Sequence, residues 1–383
     1  MTLDNLAKLP DRIVGLFPDL LGRGGVQESG RQTVSAITGI ARRQNWTPLF
    51  LSLNDLQGSQ TPSIGNEEIQ IEGFARIKLS FVARCIVEAK KKPRFVLAAH
   101  PNLAVVAQLF RWFSPLTKVI VMCHGIEIWR RMPIYRRRAL LSADMIVATS
   151  RYNVQKLTEL QEVPVHKICV LPWPLSPYML RLADSAIKLR LPDNFPRGRV
   201  VLTVGRWVAS ERYKGADELI RAVAELRSSF PDLRLALVGG GDDLPRLKRL
   251  AVDLTVSDEV RFLENLPAEQ LAACYAGCEI FALPSTGEGF GLVFLEAMAF
   301  RKPLVGASAG GSIDLLQDGE NGLVVPGRDS LALGKALSRL LRDAPLGAEL
   351  GRRGGEIVRR KYRFDVFERG LEGILLEGGR KFE

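Results

Sequence analysis

The stretch IFALPSTGEGFGLVFLEAMAF, residues 280 to 300, predicts a buried strand, a glycine turn and a helix in succession. Its first residues form a short apolar run of the kind found in strands that are covered on both faces. The strand is expected to end near Ser285, the turn to span Thr286 to Phe290, and the helix to start around Gly291. A strand that passes through a short turn into a helix is the repeating unit of parallel α/β sheets.

The same alternation of short apolar runs and longer amphipathic stretches continues through both halves of the chain. A length of 383 residues favours two domains. Four prolines interrupt the periodicity between Trp173 and Arg199. We therefore predict an α/β protein with two doubly wound, Rossmann-like domains that face each other across a cleft. Open α/β sheets bind their ligands there, outside the carboxyl ends of the strands.

The predicted domain boundaries follow from that interruption. The first Rossmann-like domain spans residues 1–175, a linker spans 176–198, and the second Rossmann-like domain spans 199–365. Residues 366–383 are predicted to be a helical segment that packs back toward the first domain.

The composition indicates a soluble globular protein, because 46% of the residues are hydrophobic and 25% are charged. No uncharged apolar run reaches the length of about 18 residues that a spanning helix needs. The start, MTLDNLAKLPDR, has no apolar core of the kind found in signal peptides. The five cysteines are scattered, and Cys274 and Cys278 have no histidine or second cysteine pair nearby. We therefore expect reduced cysteines, no metal site and a cytoplasmic location.

Two glycine-containing turns follow predicted strands. In LLGRGGVQESGRQ, residues 20–32, Gly24 and Gly25 let backbone amides approach a ligand, and a helix beginning near Gln27 favours an anion there. A tight turn that serves packing alone explains this loop equally well. The turn in LVGGGDDL, residues 237–244, also allows two interpretations. It is either a nucleotide contact or an ordinary loop before a capped helix.

The second domain begins with VLTVGRWVASERYKGADELI, residues 201–220. Gly205 and Arg206 follow its first strand, and a polar loop leads to Lys214 before the next helix. Arginine offers a planar fork of donors and lysine a compact charge, so the pair suits a diphosphate. Solvated surface charges remain an alternative for this loop taken alone.

Two carboxylates flank the glycine turn of the opening stretch. Glu288 precedes the predicted helix and is free to accept hydrogen bonds from sugar hydroxyls, and Glu296 lies about one and a half turns into the helix, where it can reach a ribose. The free amides of Phe290, Gly291 and Leu292 stand at the positive end of that helix and can bind a phosphate or a hydroxyl oxygen.

These motifs together resemble the retaining nucleotide-sugar glycosyltransferases of the GT-B fold, specifically glycosyltransferase family 4. The resemblance rests on E-x7-E from Glu288 to Glu296, on G-R…K-G at Arg206 and Lys214, on His124 in CHGIEIW, and on the loop DGENGLVV in residues 318–325. It covers nearly the whole chain and is strongest from about residue 200 to residue 341.

The resemblance implies roles for individual residues. Arg206 and Lys214 would neutralise the departing diphosphate, Glu288 would hold the transferred sugar, and Glu296 would bind the ribose. His124 would face the sugar and the acceptor, with His100, Glu127 and Trp129 as further acceptor-side candidates. The remaining donor-binding candidates are Gly24, Gly25, Gly205, Phe290, Gly291 and Leu292. Family members need no metal ion or other cofactor, so none is expected here.

The sequence departs from the family in two places. LPWPL, residues 171–175, stands where members usually have a P-N-G-V turn. Many members have an acidic residue directly after G-G-V, where this chain has Gln27, and Glu28 lies one residue further on. A sugar-nucleotide epimerase of the same fold and a non-catalytic nucleotide-sugar-binding protein remain alternatives. An NAD-dependent oxidoreductase is disfavoured because neither glycine loop has the G-x-G-x-x-G spacing. The base, the sugar, the acceptor and the oligomeric state are left open.

The net charge of +11 lies entirely in residues 1–195, whereas residues 196–383 are balanced. The basic residues gather with aromatic ones in KKKPRF (90–95), LFRWFSPLTK (109–118) and WRRMPIYRRRALL (129–141). No nucleic-acid recognition module accompanies them. This pattern favours an anionic membrane surface as a partner, with Trp112, Phe113 and Trp129 at the interface. A solvated basic face or an acidic acceptor are the alternatives.

Overall fold

The computed structural model describes residues 9–22, 24–65, 67–185 and 189–377. The chain forms two compact units. The first contains the residues up to Pro174 together with the segment that starts at Phe364, and the second runs from Leu175 to Arg363.

The first unit is built on an eight-stranded sheet with the order β10-β9-β8-β7-β1-β2-β6-β3. Its neighbours pair in parallel except β3 with β6, and β4 and β5 form a separate antiparallel hairpin. The strands are β1 (Arg12–Phe17), β2 (Thr47–Ser52), β3 (Gly58–Gln60), β4 (Ser63–Ile64), β5 (Glu67–Glu68), β6 (Ile71–Gly73), β7 (Phe95–Ala98), β8 (Lys118–Cys123), β9 (Met145–Ala148) and β10 (Ile168–Val170).

Among the described residues, five helices of the first unit follow these strands and one comes from the segment that starts at Phe364. They are α1 (Gly25–Gln44), α2 (Lys78–Ala89), α3 (Ala104–Phe113), α4 (Ile134–Leu141), α5 (Arg151–Gln161) and α13 (Phe364–Glu377). The central strands β1, β7 and β8 are almost wholly buried because helices cover both of their faces.

The second unit has a six-stranded parallel sheet with the order β13-β12-β11-β14-β15-β16. Its strands are β11 (Arg199–Val204), β12 (Leu233–Val238), β13 (Val260–Leu263), β14 (Ile280–Leu283), β15 (Leu304–Ala307) and β16 (Gly322–Val325). Its helices are α6 (Pro177–Asp184), α7 (Ala216–Leu226), α8 (Leu244–Asp253), α9 (Ala268–Gly277), α10 (Leu292–Ala299), α11 (Ser330–Arg342) and α12 (Ala344–Lys361). The prediction of two doubly wound α/β units is thereby confirmed.

The strand orders identify where a ligand can bind. In the first unit the chain runs outward from β1 to β2 on one side and to β7 on the other, and in the second unit β11 lies between β12 and β14 in the same way. The loops that leave the two middle strands of such a switch point diverge and open a crevice. The loops after β1, β7, β11 and β14 therefore lie at the two switch points.

The segments around the unit boundaries differ in extent from the sequence-based limits. The interval predicted as a linker, 176–198, contains α6, which packs against α9 and α10 within the second unit. Its residues 186–188 lie outside the described part. Helix α13 begins at Phe364 and packs on α1, where Arg43 forms ion pairs with Glu368 and Glu372 at 3.3 and 2.9 Å. Residues 378–383 also lie outside the described part.

Candidate active site

Two loops of the second unit meet at its switch point. Lys214, at the end of the loop after β11, places its Nζ 2.8 Å from Oε1 of Glu288 in the loop after β14. The amide of Thr286 donates to the carbonyl of Tyr213 at 2.8 Å, so the backbones of the two loops are joined as well. Gly215 has a φ of 81°, and a Cβ there would lie 2.7 Å from the ring of Pro284. A side chain at this position would force the loops apart.

Arg206 contacts Glu211 rather than Glu288. The other oxygen of Glu211, Oε2, lies 3.7 Å from Nζ of Lys214, so Glu211 stands between the two cations. The side chain of Arg206 is 70% exposed, whereas those of Glu211 and Lys214 are 12% and 14% exposed. The hydrogen bond to Glu211 raises the pKa of Arg206. The structure thus brings together the predicted cations and the first carboxylate in one alternating row of charges.

The backbone of Glu288 is fixed by the glycine-rich turn after β15. The amide of Gly311 donates to the carbonyl of Glu288 at 2.6 Å. Gly310 has a φ of 72°, and a Cβ there would lie 2.7 Å from that carbonyl oxygen. The turn therefore needs glycine in order to approach Glu288 so closely.

Helix α10 begins one residue later than predicted, and its first turn is available to a ligand. Gly291 precedes it with a φ of 95°, and no side chain among the described residues caps this end of the helix. Phe290 is buried and its ring packs near that of Tyr362 at 6.1 Å. The amides of Phe290, Gly291 and Leu292 thus stand beside Glu288, at the end of the helix that favours negative charge.

Glu296 lies in the second turn of α10 and accepts a hydrogen bond from Tyr275. The phenol oxygen of Tyr275 is 2.6 Å from Oε2 of Glu296. The Tyr275 side chain is fully buried in α9, and its ring stacks on Phe300 with centroids 5.8 Å apart. Burial, aided by the negative charge of Glu296, raises the pKa of Tyr275 well above its usual range. A neutral phenol therefore donates to Glu296 at every physiological pH.

The glycine loop after β12 packs on the loop that carries Arg206. Gly239 and Gly241 have φ values of 121° and 154°, and a Cβ on either would overlap a backbone carbonyl, that of Gly205 or of Trp207. Gly205 itself has little room, because a Cβ there would lie 3.2 Å from the Trp207 ring. These glycines are explained by close packing of the two loops, which holds Arg206 at the edge of the sheet.

In the first unit, Gly24 precedes α1 with a φ of 140°, and the helix starts at Gly25 rather than near Gln27. The loop before it is held by two carboxylates that the sequence reasoning did not single out. Asp55 accepts from the amides of Leu20 and Leu21 at 2.9 and 3.1 Å. Asp19 accepts from the amide of Gly22 at 3.0 Å.

The carboxylates at this loop also differ in their burial and their side-chain partners. Burial raises the pKa of Asp55. Asp19 also accepts from Gln27 at 3.1 Å. Glu28 is engaged in an ion pair with Arg31 at 2.7 Å, so its carboxylate serves the start of α1.

His124 follows β8, and its ring is oriented by a backbone carbonyl. Its Nε2 lies 2.6 Å from the carbonyl of Ala99, to which it donates. Its Nδ1 is buried and has no hydrogen-bond partner among the described residues. The carboxylate of Glu127 accepts from the amides of His124 and Gly125, so Glu127 fixes the turn rather than offering its side chain to an acceptor. The Nδ1 of His124 is thus a buried acceptor whose hydrogen-bonding capacity is not used by the described residues.

A stack of aromatic rings surrounds His124. The ring of His100 stacks on it with centroids 5.9 Å apart, and that of Trp173 stacks on it at 5.3 Å and 12° from parallel. Phe367 of α13 packs on Trp173 at 5.4 Å. Trp173 is the residue at which LPWPL departs from the family pattern, so the departure supplies a ring that stacks on His124.

The other two acceptor-side candidates differ in their surroundings. The Nδ1 of His100 accepts from the amide of Asn102 at 3.1 Å, and burial lowers the pKa of His100 to about 4. Trp129 donates its indole N–H to Asn153 at 2.9 Å and packs on Tyr152. Trp129 is thus half-buried and hydrogen-bonded within the unit, and its placement at a membrane interface stays a prediction.

The described residues contain neither a metal-binding cluster nor a membrane-crossing helix. No cluster of three or more His, Cys, Asp or Glu side chains is arranged to hold a metal ion within the described ranges. No helix in those ranges combines the length and hydropathy needed to cross a bilayer. None of the five cysteines, which all lie in the described ranges, forms a disulfide, and burial raises the pKa of Cys274 and Cys278 to about 12.

Comparison with known proteins places the chain among glycosyltransferases. The profile of the family described as glycosyl transferases group 1 matches residues 192–356. The GDP-mannose-dependent alpha-(1-6)-phosphatidylinositol monomannoside mannosyltransferase of Mycolicibacterium smegmatis is 34% identical over 267 residues, which cover 66% of this chain and 68% of that relative. The D-inositol 3-phosphate glycosyltransferase of Stackebrandtia nassauensis is 34% identical over 225 residues, 56% of this chain and 49% of its own length.

The fold has close counterparts among solved structures. The crystal structure of Anabaena HepE in complex with UDP superposes with a TM-score of 0.73 at 19% identity, covering 96% of this chain and 100% of that one. At this level of identity the likeness concerns the fold, two Rossmann-like units.

Proposed function

Because the chain belongs to the glycosyl transferases group 1 family, we propose that it is a retaining, metal-independent hexosyltransferase. It would transfer a hexose from a nucleoside-diphosphate sugar to a cell-envelope, lipid-linked or polysaccharide acceptor. The observation that carries the proposal is the row of charges formed by Arg206, Lys214 and Glu288 beside the open end of α10. Two cations, a helix terminus and a carboxylate are the groups that a sugar diphosphate requires.

Residues of the second unit would bind the donor and stabilise its leaving group. The bond from the anomeric carbon to the diphosphate oxygen breaks, and the electron pair leaves with the diphosphate. Arg206, Lys214 and the amides that begin α10 would stabilise that charge, which supplies the electrostatic contribution otherwise given by a divalent ion. Glu288 would accept hydrogen bonds from the sugar hydroxyls, and Glu296 would accept from the ribose.

Residues of the first unit would contact the acceptor. The acceptor hydroxyl would form its bond to the anomeric carbon on the face that the diphosphate leaves, and its proton would pass to a departing phosphate oxygen. His124 would accept a hydrogen bond from the sugar or the acceptor at Nδ1, because its Nε2 already donates to Ala99. Nδ1 is buried in this structure, so substrate binding would have to uncover it. His100 is neutral at physiological pH, so it would contact the acceptor as a hydrogen-bonding group and not as a charge.

Two named relatives narrow the substrates to be tried first. The mycobacterial relative is named for GDP-mannose and a phosphatidylinositol mannoside, and the Stackebrandtia relative for D-inositol 3-phosphate. HepE was crystallised with UDP. We therefore propose a polyol acceptor that carries a phosphate, free or as part of a lipid, and both GDP and UDP donors enter the test.

A thermal-shift panel tests the donor site. UDP, GDP, ADP, NAD and their common sugar conjugates are added to the protein with and without EDTA. Ligands that bind the folded state raise the melting temperature with their concentration. We expect a shift with one nucleoside diphosphate that survives EDTA. A shift with NAD alone, or no shift at millimolar ligand, contradicts the proposal.

Product analysis tests the chemistry. With the donor found by the panel, transfer is measured to inositol 3-phosphate and to phosphatidylinositol-containing vesicles. NMR coupling constants of the new linkage report its anomeric configuration. An α-linked product from an α-linked donor supports retention, whereas a β-linked product contradicts it. Donor isomerisation without any acceptor would indicate the epimerase instead, and binding without turnover a sugar-nucleotide sensor.

We also propose that the first unit associates peripherally with an anionic membrane on its cytoplasmic face. Helices α2, α3 and α4 pack side by side. They expose large apolar side chains, with Leu79 85% and Trp112 78% exposed. Lys90, Lys91 and Lys92 follow α2 directly and are exposed or nearly so. Exposed apolar side chains next to clustered cations match an anionic bilayer surface.

Co-sedimentation with vesicles tests this association. We expect binding to vesicles with anionic lipid at low salt, weaker binding at high salt, and little binding to neutral vesicles. Trp112→Ser should weaken binding, whereas Trp129→Phe should leave it unchanged because Trp129 is anchored by Asn153. Equal binding of wild type and Trp112→Ser would contradict the assignment of this surface.

A further inference from the structure

Glu211 contacts both cations of the proposed diphosphate site. It forms an ion pair with Arg206 through Oε1, and its Oε2 lies 3.7 Å from Nζ of Lys214. The residue interrupts the short 3-10 helix Ala209–Lys214, with φ −119° and ψ 29°. That break lets residue 211 reach both cations from within their own loop. Neither the motifs nor the resemblance assigns it a role.

We propose that Glu211 is a positioning residue that occupies the diphosphate's place on Arg206 and Lys214 and thereby weakens the binding of the nucleoside diphosphate. This inference rests on the proposed function, since it assumes that the two cations bind a diphosphate. The carboxylate orders the cations in the empty site. It must also move, or repel the ligand, when phosphate oxygens arrive.

The geometry indicates whether the diphosphate or Glu211 binds the two cations more strongly. Glu211 is 12% exposed and Lys214 is 14% exposed, so their interaction is screened less than that of a surface pair. Arg206 is 70% exposed and can turn toward a ligand at little cost. A diphosphate carries more negative charge than one carboxylate, so it displaces Glu211 from the cations. Because the ion pairs of Glu211 are lost in the exchange, the affinity for the diphosphate is lower than it would be without Glu211. A weaker hold on the diphosphate product favours its release, which limits turnover in many enzymes.

This arrangement predicts that replacing Glu211 changes ligand affinity in an unusual direction. If Glu211 merely shaped the loop, its replacement would weaken ligand binding. If it competes with the diphosphate, removal of its charge strengthens binding. Glu211→Gln keeps the volume of the side chain and one hydrogen-bonding oxygen while removing the charge, so it separates the two roles.

The experiment is isothermal titration of UDP and GDP into the wild type, Glu211→Gln and Glu218→Gln, at low and high salt. Glu218 lies on the first turn of α7 and forms no ion pair among the described residues, so its variant controls for the loss of one negative charge nearby. For the base that the wild type binds, we expect Glu211→Gln to lower Kd by about three- to tenfold, as for the loss of one partly buried competing charge. The parent nucleoside, which lacks phosphates, should bind the wild type and Glu211→Gln equally.

Each outcome is decisive. An unchanged or higher Kd in Glu211→Gln, with a normal melting temperature, overturns the inference while leaving the proposed donor site intact. Failure of the wild type to bind either diphosphate overturns the proposed function and the inference with it. Glu211→Asp provides a second variant should the first not fold. Its shorter side chain cannot span both cations, so a Kd between those of the wild type and a charge-free site is expected.

Discussion

Lys214 and Glu288 lie 74 residues apart in the sequence, yet Nζ of the lysine is 2.8 Å from Oε1 of the glutamate. The pairing follows from the topology, because the two residues leave neighbouring strands, β11 and β14, at the switch point of the second sheet. Both side chains are 14% exposed. A cation and the carboxylate that we propose to bind the sugar are thus held together before any donor arrives, which would reduce the ordering that the transition state requires.

This pairing predicts that Lys214 matters more to turnover than Arg206. Lys214→Ala should cost about 3 to 4 kcal/mol of transition-state stabilisation, comparable to the loss of one preorganised oxyanion donor. Arg206→Ala should cost less, about 2 kcal/mol, because an exposed cation is screened and a solvent molecule can replace it. The measurement is kcat/KM for the donor, with melting temperatures as controls for folding. Normal turnover in both variants would contradict the diphosphate assignment.

The sequence was sufficient to place the main site residues on turns but not to show what holds them. The spacing from Glu288 to Glu296 and the glycines around Gly291 have a local signature, since they depend on one strand, one turn and one helix. The partners of these residues come from distant segments. The bond from Tyr275 to Glu296 depends on how α9 packs beside α10, and no periodicity in either segment encodes that contact.

Trp173 and Glu211 were missed for a different reason. LPWPL was noticed only as a departure from a family pattern, and the stack of Trp173 on His124 exists because β8 and the segment after β10 converge in space. Glu211 lies between Arg206 and Lys214, whose charges dominate the pattern of this loop. One signal could have identified it, namely a carboxylate three residues before Lys214 in a loop proposed to bind an anion. A negative charge there opposes the expected ligand and therefore needs an explanation.

Tyr275 is predicted to tune donor binding through Glu296. Tyr275→Phe retains the buried ring and removes the hydroxyl that donates to Oε2 at 2.6 Å. Loss of a hydrogen bond to a charged group is expected to weaken donor binding by about 1.5 kcal/mol, or about tenfold, with kcat largely unchanged. Donor KM and kcat are measured separately.

A donor with a deoxyribose provides the matched control for Tyr275. If the phenol acts by orienting Glu296 toward the ribose, Tyr275→Phe should have a smaller effect on a 2′-deoxy or 3′-deoxy donor than on the natural one. Equal losses with all donors would indicate that the hydroxyl serves the packing of α9 and not the ribose contact.

Trp173 is predicted to hold His124 in its working orientation. The indole stacks on the imidazole at 5.3 Å and 12°, and aromatic pairs of this kind contribute about 0.5–1.5 kcal/mol beyond their buried area. Trp173→Leu should lower kcat by about three- to tenfold, because a loose His124 spends less time in contact with the substrate. Trp173→Phe keeps a ring in the stack and should recover most of the activity. Similar losses in both variants, with unchanged melting temperatures, would show that ring stacking is not what Trp173 contributes.

His100 is predicted to make the first unit sensitive to acid. Burial lowers its pKa from 6.5 to about 4, the neighbouring Glu127 opposes that shift, and His124 and Arg136 add to it. Because the folded state holds the neutral ring, the unfolded chain takes up a proton first as the pH falls. The stability due to His100 is therefore complete above pH 6.5 and is lost as the pH falls from 6.5 through 4, by at most about 3 kcal/mol.

The variant His100→Asn isolates this effect. His100 caps the short 3-10 helix Pro101–Leu103 by accepting from the amide of Asn102, and asparagine is equally good at that position. Urea unfolding of both proteins is measured from pH 4 to pH 8. We expect the Asn variant to lose less stability than the wild type between pH 6.5 and 4, while above pH 7 the two proteins respond alike to pH. Parallel curves across the whole range would mean that His100 takes up its proton as readily in the folded state as in the unfolded chain, and that burial does not govern its titration.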